Sequence, residues 1–388
     1  MESTLRRTWA EIDLDALAHN YRTLRRHVGE GVKFLGVVKA DAYGHGAIKA
    51  SELLEELGAD YLAVSSLDEA MELRGGGIAM PILILGHTPK EQVSQLIDLH
   101  ITQAVSCLAK AEEYSAEAVK HGGVLKVHIK VDTGMSRLGY LCDGSNFEGG
   151  VEGIYKACCL PNLEAEGIFT HFAVSDVPDE DSKAYTMHQF SLFCSVIEAV
   201  EKKGYTFRLR HCANTGAVAC YPETYMDMVR PGLLLYGCGE FAEKLGLQPV
   251  MTLKTTVSTI KDYAPGTSIS YGRLYTTDKT TRMGVVPYGY ADGFLRVLTN
   301  RCSFMAKGIR IPQRGRICMD MCMIDLSDAP EVKVGDEIEI FGKKNSVNQM
   351  AEWADTIPYE LTCAVSKRVP RDYLRNGKVI DRELLLRF

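Results

Sequence analysis

Eight short apolar runs, most of them followed by a stretch of helical periodicity, occupy the chain from about residue 32 to about residue 237. They are Val32–Lys39, Tyr61–Ser66, Pro81–Gly86, Ile101–Ser106, Leu125–Asp132, Leu163–His171, Phe207–Asn214 and Met228–Gly237. Segments such as SELLEELG, SLDEAMELRG and QFSLFCSVIEAVEKKG lie between them, with apolar residues at i, i+3 and i+4 and a closing glycine. Strand followed by helix, repeated eight times over about 200 residues, predicts an α/β fold of the (β/α)8 type, a TIM-type barrel. A doubly wound open sheet would need a G-x-G-x-x-G turn after its first strand. Here Val32–Val38 runs into Lys39-Ala40-Asp41-Ala42, which favours the barrel.

At 388 residues the chain exceeds the usual span of one domain, and its texture changes near residue 240. MTLKTTVSTIKDY, TSISYGRLYTT, TRMGVVPYGY, CSFMAKGIRIPQRGRICMDMCMIDL and DEIEIFGKK are β-rich and separated by Gly, Pro and Asp turns. Only Val347–Ala354 reads as a helix there, capped by Ser346. We expect a barrel over 12–240 and a mostly-β domain over 241–388, with residues 1–11 adding a strand to the latter.

A net charge of -6 provides no basic footprint for nucleic acid or an anionic membrane. No apolar run approaches the ~18 residues of a membrane span, and MESTLRRTWAEIDLDALAHN carries no secretory signal behind its arginines. The twelve cysteines are scattered and form no C-x-x-C pair, and Cys158, Cys159, Cys194 and Cys220 lie in apolar segments. Reduced buried thiols, no metal site and a cytoplasmic location are the expectation.

In a barrel of this kind active sites form where strands end. The first strand ends in Lys39, with Asp41, Tyr43 and His45 in its loop; the fifth ends at Asp132 before Arg137; the sixth ends in His171. The seventh leads to Asn214 and Thr215, and the eighth carries Arg230 before Pro231-Gly232. One lysine, two arginines, a histidine and an amide suit an anionic ligand. Asn214-Thr215-Gly216-Ala217 and Gly232-Leu233 suit a phosphate, which loops seven and eight often hold. A lysine opposite a phosphate suggests a phosphate-bearing aldehyde held as an imine, since lysine gives up its proton at modest cost and arginine does not. Each residue also has a plainer reading. Lys39 would be a solvated surface charge, Arg137 and Arg230 ion-pair partners of Asp132 or Asp227, His171 a core histidine, and Asn214-Thr215 a helix cap.

VVKADAYGHG, at Val37–Gly46, resembles the cofactor-lysine signature of the alanine racemases, fold-type III pyridoxal phosphate enzymes. KVDTGMSRLG, GIFTHFA, VRPGLLLYG, SYGRLYTT, GYADG, GRICMD and IPYELTC resemble that family's motifs in its order, from about residue 7 to 373. The resemblance implies that Lys39 holds pyridoxal phosphate and acts as one base. Tyr271, from the second subunit of a homodimer, would be the other. Arg230 would face the pyridine nitrogen, and His171 would link Arg230 to Tyr271. Tyr43, Asn214, Thr215, Gly232, Leu233 and Tyr359 would hold the phosphate. Arg137 would meet the ring hydroxyl and the substrate carboxylate, with Met319 of the partner beside it, and Tyr290 and Asp320 would line the mouth of the site. Lys130 would point into the barrel near Arg137 and, as in some relatives, carry a carbamate; the plainer reading pairs it with Asp132.

Racemisation removes a proton from one face of a planar carbon and returns one to the other, so two bases must flank it. The resemblance therefore implies interconversion of L- and D-alanine, supplying D-alanine for peptidoglycan. The small departures are Ser136, Thr215, Tyr288 and Pro358, the last directly before Tyr359. A serine or broader-specificity racemase is the nearest alternative, since a pocket discriminates poorly against one added hydroxyl. A basic amino-acid decarboxylase would place a carboxylate where Arg230 stands. A single-barrel carrier of the cofactor would lack the β-rich third.

Overall fold

A computed structural model describes residues 7–384. Within them the chain divides into two compact units, one of Tyr21–Ala42 and Ala47–Leu235, the other of the described parts of 1–20, 43–46 and 236–388.

The first unit is the parallel barrel. Lys33–Val37, Tyr61–Val64, Ile82–Ile84, Ile101–Val105, Leu125–Asp132 and Leu163–Phe169 are paired in sequence order, followed by Leu209–His211. Met228–Val229 pairs with the first strand, Met228 opposite Lys33. The seam between the last two strands is bridged by Asp227 N–H to Arg210 O at 3.0 Å and Arg230 N–H to Ala213 O at 2.9 Å. Short strands such as YLAV and ILI are buried throughout, as parallel strands covered on both faces must be. The covering helices start and stop where the sequence provides caps. Ser66 accepts from Glu69 N–H ahead of Leu67–Gly75, Asp179 accepts from Ser182 N–H ahead of Glu180–Lys202, and Leu108–His121 ends on left-handed Gly122.

One irregularity matters for the site. The pairing of Leu125–Asp132 with Leu163–Phe169 slips between Val127 and His128, which sets His128 opposite Gly167. A Cβ on Gly167 would lie 2.8 Å from three atoms of the His128 imidazole. Only glycine leaves room for that ring inside the barrel.

The second unit is a sheet of ten strands among the described residues. Thr8–Asp13 lies inside it, antiparallel to Met251–Thr256 and parallel to Arg371–Arg375. Residues 1–6, part of the N-terminal segment expected to join this domain, lie outside the described residues. Ser346 caps Val347–Trp353 by accepting from Asn348 N–H. A second helix, Pro358–Ala364, was not anticipated from the sequence. It is two turns long with Pro358 in its first turn, a position where proline loses nothing. Buried Arg371 donates to the carbonyls of Gly44, Val365, Ser366 and Val369, which ties the 43–46 segment to this unit. Of the cysteines expected to be buried, Cys158 is, Cys194 is half-buried, and Cys159 and Cys220 are exposed, because an apolar stretch of helix still turns some of its positions outward.

Candidate active site

Lys39 opens the loop after the first barrel strand, and that loop turns the unusual way. Ala40, Asp41, Ala42 and Tyr43 all have φ between 51° and 55°, a left-handed turn built from non-glycine residues. Such a conformation costs roughly 1–2 kcal/mol per residue, so the surroundings must hold it in place. Glu69 does much of this, its two carboxylate oxygens accepting Ala40 N–H at 2.7 Å and Ser65 N–H at 2.6 Å. Asp41 accepts Ala47 N–H at 2.8 Å. The lysine is thus set by a rigid backbone rather than carried on a loose loop.

Arg230 follows the eighth strand and is 4% exposed. Its plainer partner is excluded, since Asp227 binds Arg210 at 2.7 and 3.0 Å. Arg230 instead donates to the Thr170 carbonyl at 2.8 Å, the Cys212 carbonyl at 3.1 Å, His211 Nδ1 at 2.9 Å and His171 Nδ1 at 3.5 Å. All four acceptors are imidazole or carbonyl groups, and no carboxylate among the described residues pairs with the cation. Burial lowers its pKa to about 10, so it stays charged at neutral pH. His171 is pushed well below its ordinary value by burial and then by the charges of Lys130, Arg230, Arg137 and Lys39. Four cations from three strand ends, Lys130 and Arg137 sharing the fifth, therefore act on one imidazole.

Lys130 is buried, its amine 4.5 Å from the centroid of the Phe169 ring. Asp132 does not pair with it. That carboxylate accepts Gly134 N–H and Ser136 N–H, each at 3.0 Å, and folds the loop that carries Arg137. Burial, then Arg230 and Arg137, hold the Lys130 amine well below the ordinary lysine range. Arg137 itself is exposed.

Asn214 caps Thr215–Cys220 as its plainer reading required, accepting Ala217 N–H at 3.2 Å and the Ser175 hydroxyl at 2.6 Å. Thr215 Oγ1 accepts Gly232 N–H at 2.9 Å, joining the loops of the seventh and eighth strands. Leu233 begins the short turn that follows.

The remaining candidates belong to the β-rich unit. Tyr43 and Tyr359 bring their rings to 5.5 Å, and burial raises the Tyr43 phenol far above its ordinary value. Tyr271 is 71% exposed at the tip of a loop whose backbone is left-handed at Ser270, Gly272 and Arg273. Tyr290, Met319 and Asp320 join Tyr271 around one open depression. Asp320 is held by Arg368 at 2.9 Å and, through its carbonyl, by Arg7 at 3.0 Å. Arg7 also forks onto buried Asp292 at 2.8 and 3.1 Å. Arg7, Arg368, Asp292 and His211 escaped the sequence reading, and His128 is legible there only as one of the polar residues that alternate along the fifth strand with Lys130. His211 begins HCANTGA and was one position from notice. The others meet their partners across long separations that no local pattern records.

Among the described residues there is no group of three or more His, Cys, Asp or Glu placed to hold a metal, and no helix long and apolar enough to cross a membrane. A parallel barrel whose strand ends gather a rigidly set lysine and the cations Lys130, Arg137 and Arg230 defines the site of a barrel enzyme. The comparisons with known proteins narrow this. Residues 12–240 match the alanine racemase N-terminal domain and 250–373 the C-terminal domain. The alanine racemase of Desulforamulus reducens is 44% identical, over 94% of this chain and 98% of that one. Alanine racemase 2 of Caldanaerobacter subterraneus subsp. tengcongensis is 41% identical over 98% of both chains. The solved alanine racemase of Clostridium difficile 630 superposes with a TM-score of 0.93 at 37% identity, covering 100% of both. The chain belongs to the alanine racemase family, and its activity is that of an isomerase acting on alanine.

Proposed function

We propose that the chain interconverts L- and D-alanine with pyridoxal phosphate, using Lys39 and Tyr271 as bases on opposite faces, and that it works as a cytoplasmic homodimer supplying D-alanine for peptidoglycan. The observation that carries the cofactor reading is Arg230, a buried cation whose hydrogen bonds, among the described residues, go to carbonyls and imidazoles and to no carboxylate. The donor set fits the group: an amine for its aldehyde, a fixed cation for its ring nitrogen, and Asn214, Thr215, Gly232, Leu233, Tyr43 and Tyr359 for its phosphate. When bound, pyridoxal phosphate supplies an electron sink that makes the α-proton of an amino acid acidic. Arg230, which keeps its own proton, would be the residue to face the ring nitrogen, and a donor that does not give up its proton would moderate that sink. Arg137 and the backbone of the partner subunit's Met319 would bind the substrate carboxylate, while Tyr290 and Asp320 would help line the entry. His171, held neutral by burial and its cationic neighbours, relays between Arg230 and Tyr271.

Lys130 is the place for a carbamate. Carbamylation needs a neutral amine, and burial beside Arg230 and Arg137 favours that form. The modified group would turn a third cation into an anion that orients Arg137. A carbon-13 NMR spectrum of the folded protein in labelled bicarbonate that shows no carbamate signal, or one that persists in Lys130→Ala, would exclude it.

The high exposure of Tyr271, Met319 and Tyr290 is what supports a shared site, because a proton-transferring tyrosine needs a water-poor setting that one chain does not give it. Mixing Lys39→Ala protein with Tyr271→Ala protein, each inactive alone, tests this. Reassortment should restore roughly a quarter of the wild-type turnover, from the one intact site in each mixed dimer. No recovery after exchange is demonstrated would end the shared-site reading. The same assay with L-serine measures how strictly alanine is preferred.

A further inference from the structure

We propose that Glu166 is a positioning residue for Arg230, acting from the N-terminal side of the barrel through a one-way hydrogen-bonded chain of His128 and His211. The chain is written in four distances. Arg230 approaches His211 Nδ1 at 2.9 Å, and His211 Nε2 lies 2.9 Å from His128 Nδ1. His128 Nε2 is buried without a hydrogen-bond partner and faces Glu166 Oε2 at 4.0 Å. Tyr61 donates its hydroxyl to the same Oε2 at 2.9 Å.

A guanidinium only donates, so His211 Nδ1 must accept. The proton of a neutral His211 then sits on Nε2 and is donated to His128 Nδ1. That places the proton of His128 on its Nε2, aimed at Glu166. Reversing any link would set two N–H groups against each other in the core, so the fixed charge of Arg230 dictates both tautomers. Both rings are completely buried and held neutral by burial and by nearby cations. A buried N–H demands an acceptor, and the only carboxylate within ion-pair distance of His128, among the described residues, is Glu166.

The surroundings are built for this path. Glu166 divides its oxygens: Oε1 faces Lys126 at 3.8 Å and Arg208 at 3.4 Å, while Oε2 is left to Tyr61 and His128. Gly167 makes the space for the His128 ring. Phe169 stacks on His211 at 4.9 Å with the planes 2° apart, which keeps the His211 nitrogens aimed along the chain. The effect at the far end is to hold one edge of the Arg230 guanidinium against His211. Its remaining edge then stays aligned with His171 and, on the reading proposed above, with the cofactor ring nitrogen.

The test is side-chain nitrogen NMR on the whole protein, with and without added pyridoxal phosphate. His128 and His211 should each show a protonated Nε2 and a bare Nδ1, and neither should take a second proton between about pH 6 and 8. A protonated Nδ1 on either ring overturns the proposal in the unaltered protein, whatever the variants do. In Glu166→Gln the His211 signals should shift and kcat should fall about tenfold with KM little changed, the size expected for coupling through a network. Glu164→Gln, which removes the neighbouring partner of Arg208, should alter neither. Unmoved His211 signals in folded Glu166→Gln protein would also overturn it. Failure to take up pyridoxal phosphate would count against the cofactor reading instead, because the tautomers are set by Arg230 alone.

Discussion

The barrel's strand ends and the loops of the β-rich unit carry their chemistry in opposite ways. In the barrel, Arg230, His171, His211 and Lys130 are packed among neighbours of the same unit, each oriented by a named partner or ring. In the β-rich unit the backbone is pinned, by Arg7 and Arg368 on Asp292 and Asp320, while Tyr271, Tyr290 and Met319 hold their side chains out to solvent. The first region tunes charge by burial. The second holds exposed groups on a pinned backbone. On the shared-site reading proposed above, one half of the reaction machinery would be set by burial within the chain and the other would be offered to a partner.

The largest effect should come from the prepared half. Lys39→Ala should lower racemisation by about 10³-fold or more and abolish the absorbance of lysine-bound cofactor. Tyr271→Phe should cost about 10²–10³-fold yet leave that absorbance intact, since no barrel group is disturbed. Equal loss of colour in both variants would erase the distinction between the two regions. Arg230→Glu should slow racemisation by about 10²-fold, the range for one electrostatic donor, and release pyruvate from a transamination side reaction. Unchanged product purity would show that the buried cation does not govern the cofactor's electronics.

The histidines sharpen the contrast through stability. His128 and His211 are held below the ordinary value of 6.5, His128 at about 3. Below 6.5, down to the depressed folded-state range of each ring, the unfolded chain binds protons that the fold refuses, so stability rises with pH. It must therefore fall as pH drops below 6.5, by up to about 1.4 kcal/mol per pH unit for each histidine. Denaturant midpoints at pH 7.5, 6.5 and 5.5 measure this, and a flat profile would mean that the two rings are already protonated in the fold. Smallest of all, Ser346→Ala removes a cap in the β-rich unit and should cost about 1 kcal/mol in unfolding free energy without changing kcat.

Much of the barrel was legible because buried parallel strands leave continuous apolar runs, and strand ends then locate Lys39, Arg137, His171 and Arg230 without further help. The plainer readings of Arg230 and Lys130 were harder to dismiss from sequence. Whether Asp227 meets Arg230 or Arg210, and whether Asp132 meets Lys130 or two backbone amides, depends on side-chain directions that spacing does not fix. The relay through His211 and His128 was invisible for a related reason. It joins residues 83 positions apart on different strands, and it needs a register slip that alternation alone would not suggest. The helix Pro358–Ala364 was missed because two turns carry too few residues for a period to show.

The left-handed turn at Ala40–Tyr43 has a consequence for anyone who would make this protein hardier. Glycine at Ala40 or Ala42 would relieve an unfavourable conformation that costs roughly 1–2 kcal/mol per residue, and for once would act against its usual entropic penalty. The same exchange would widen the range of positions open to the amine of Lys39. Thermal robustness and turnover are set in opposition over four residues, and selection for heat tolerance alone should find this turn before it finds any cavity in the core.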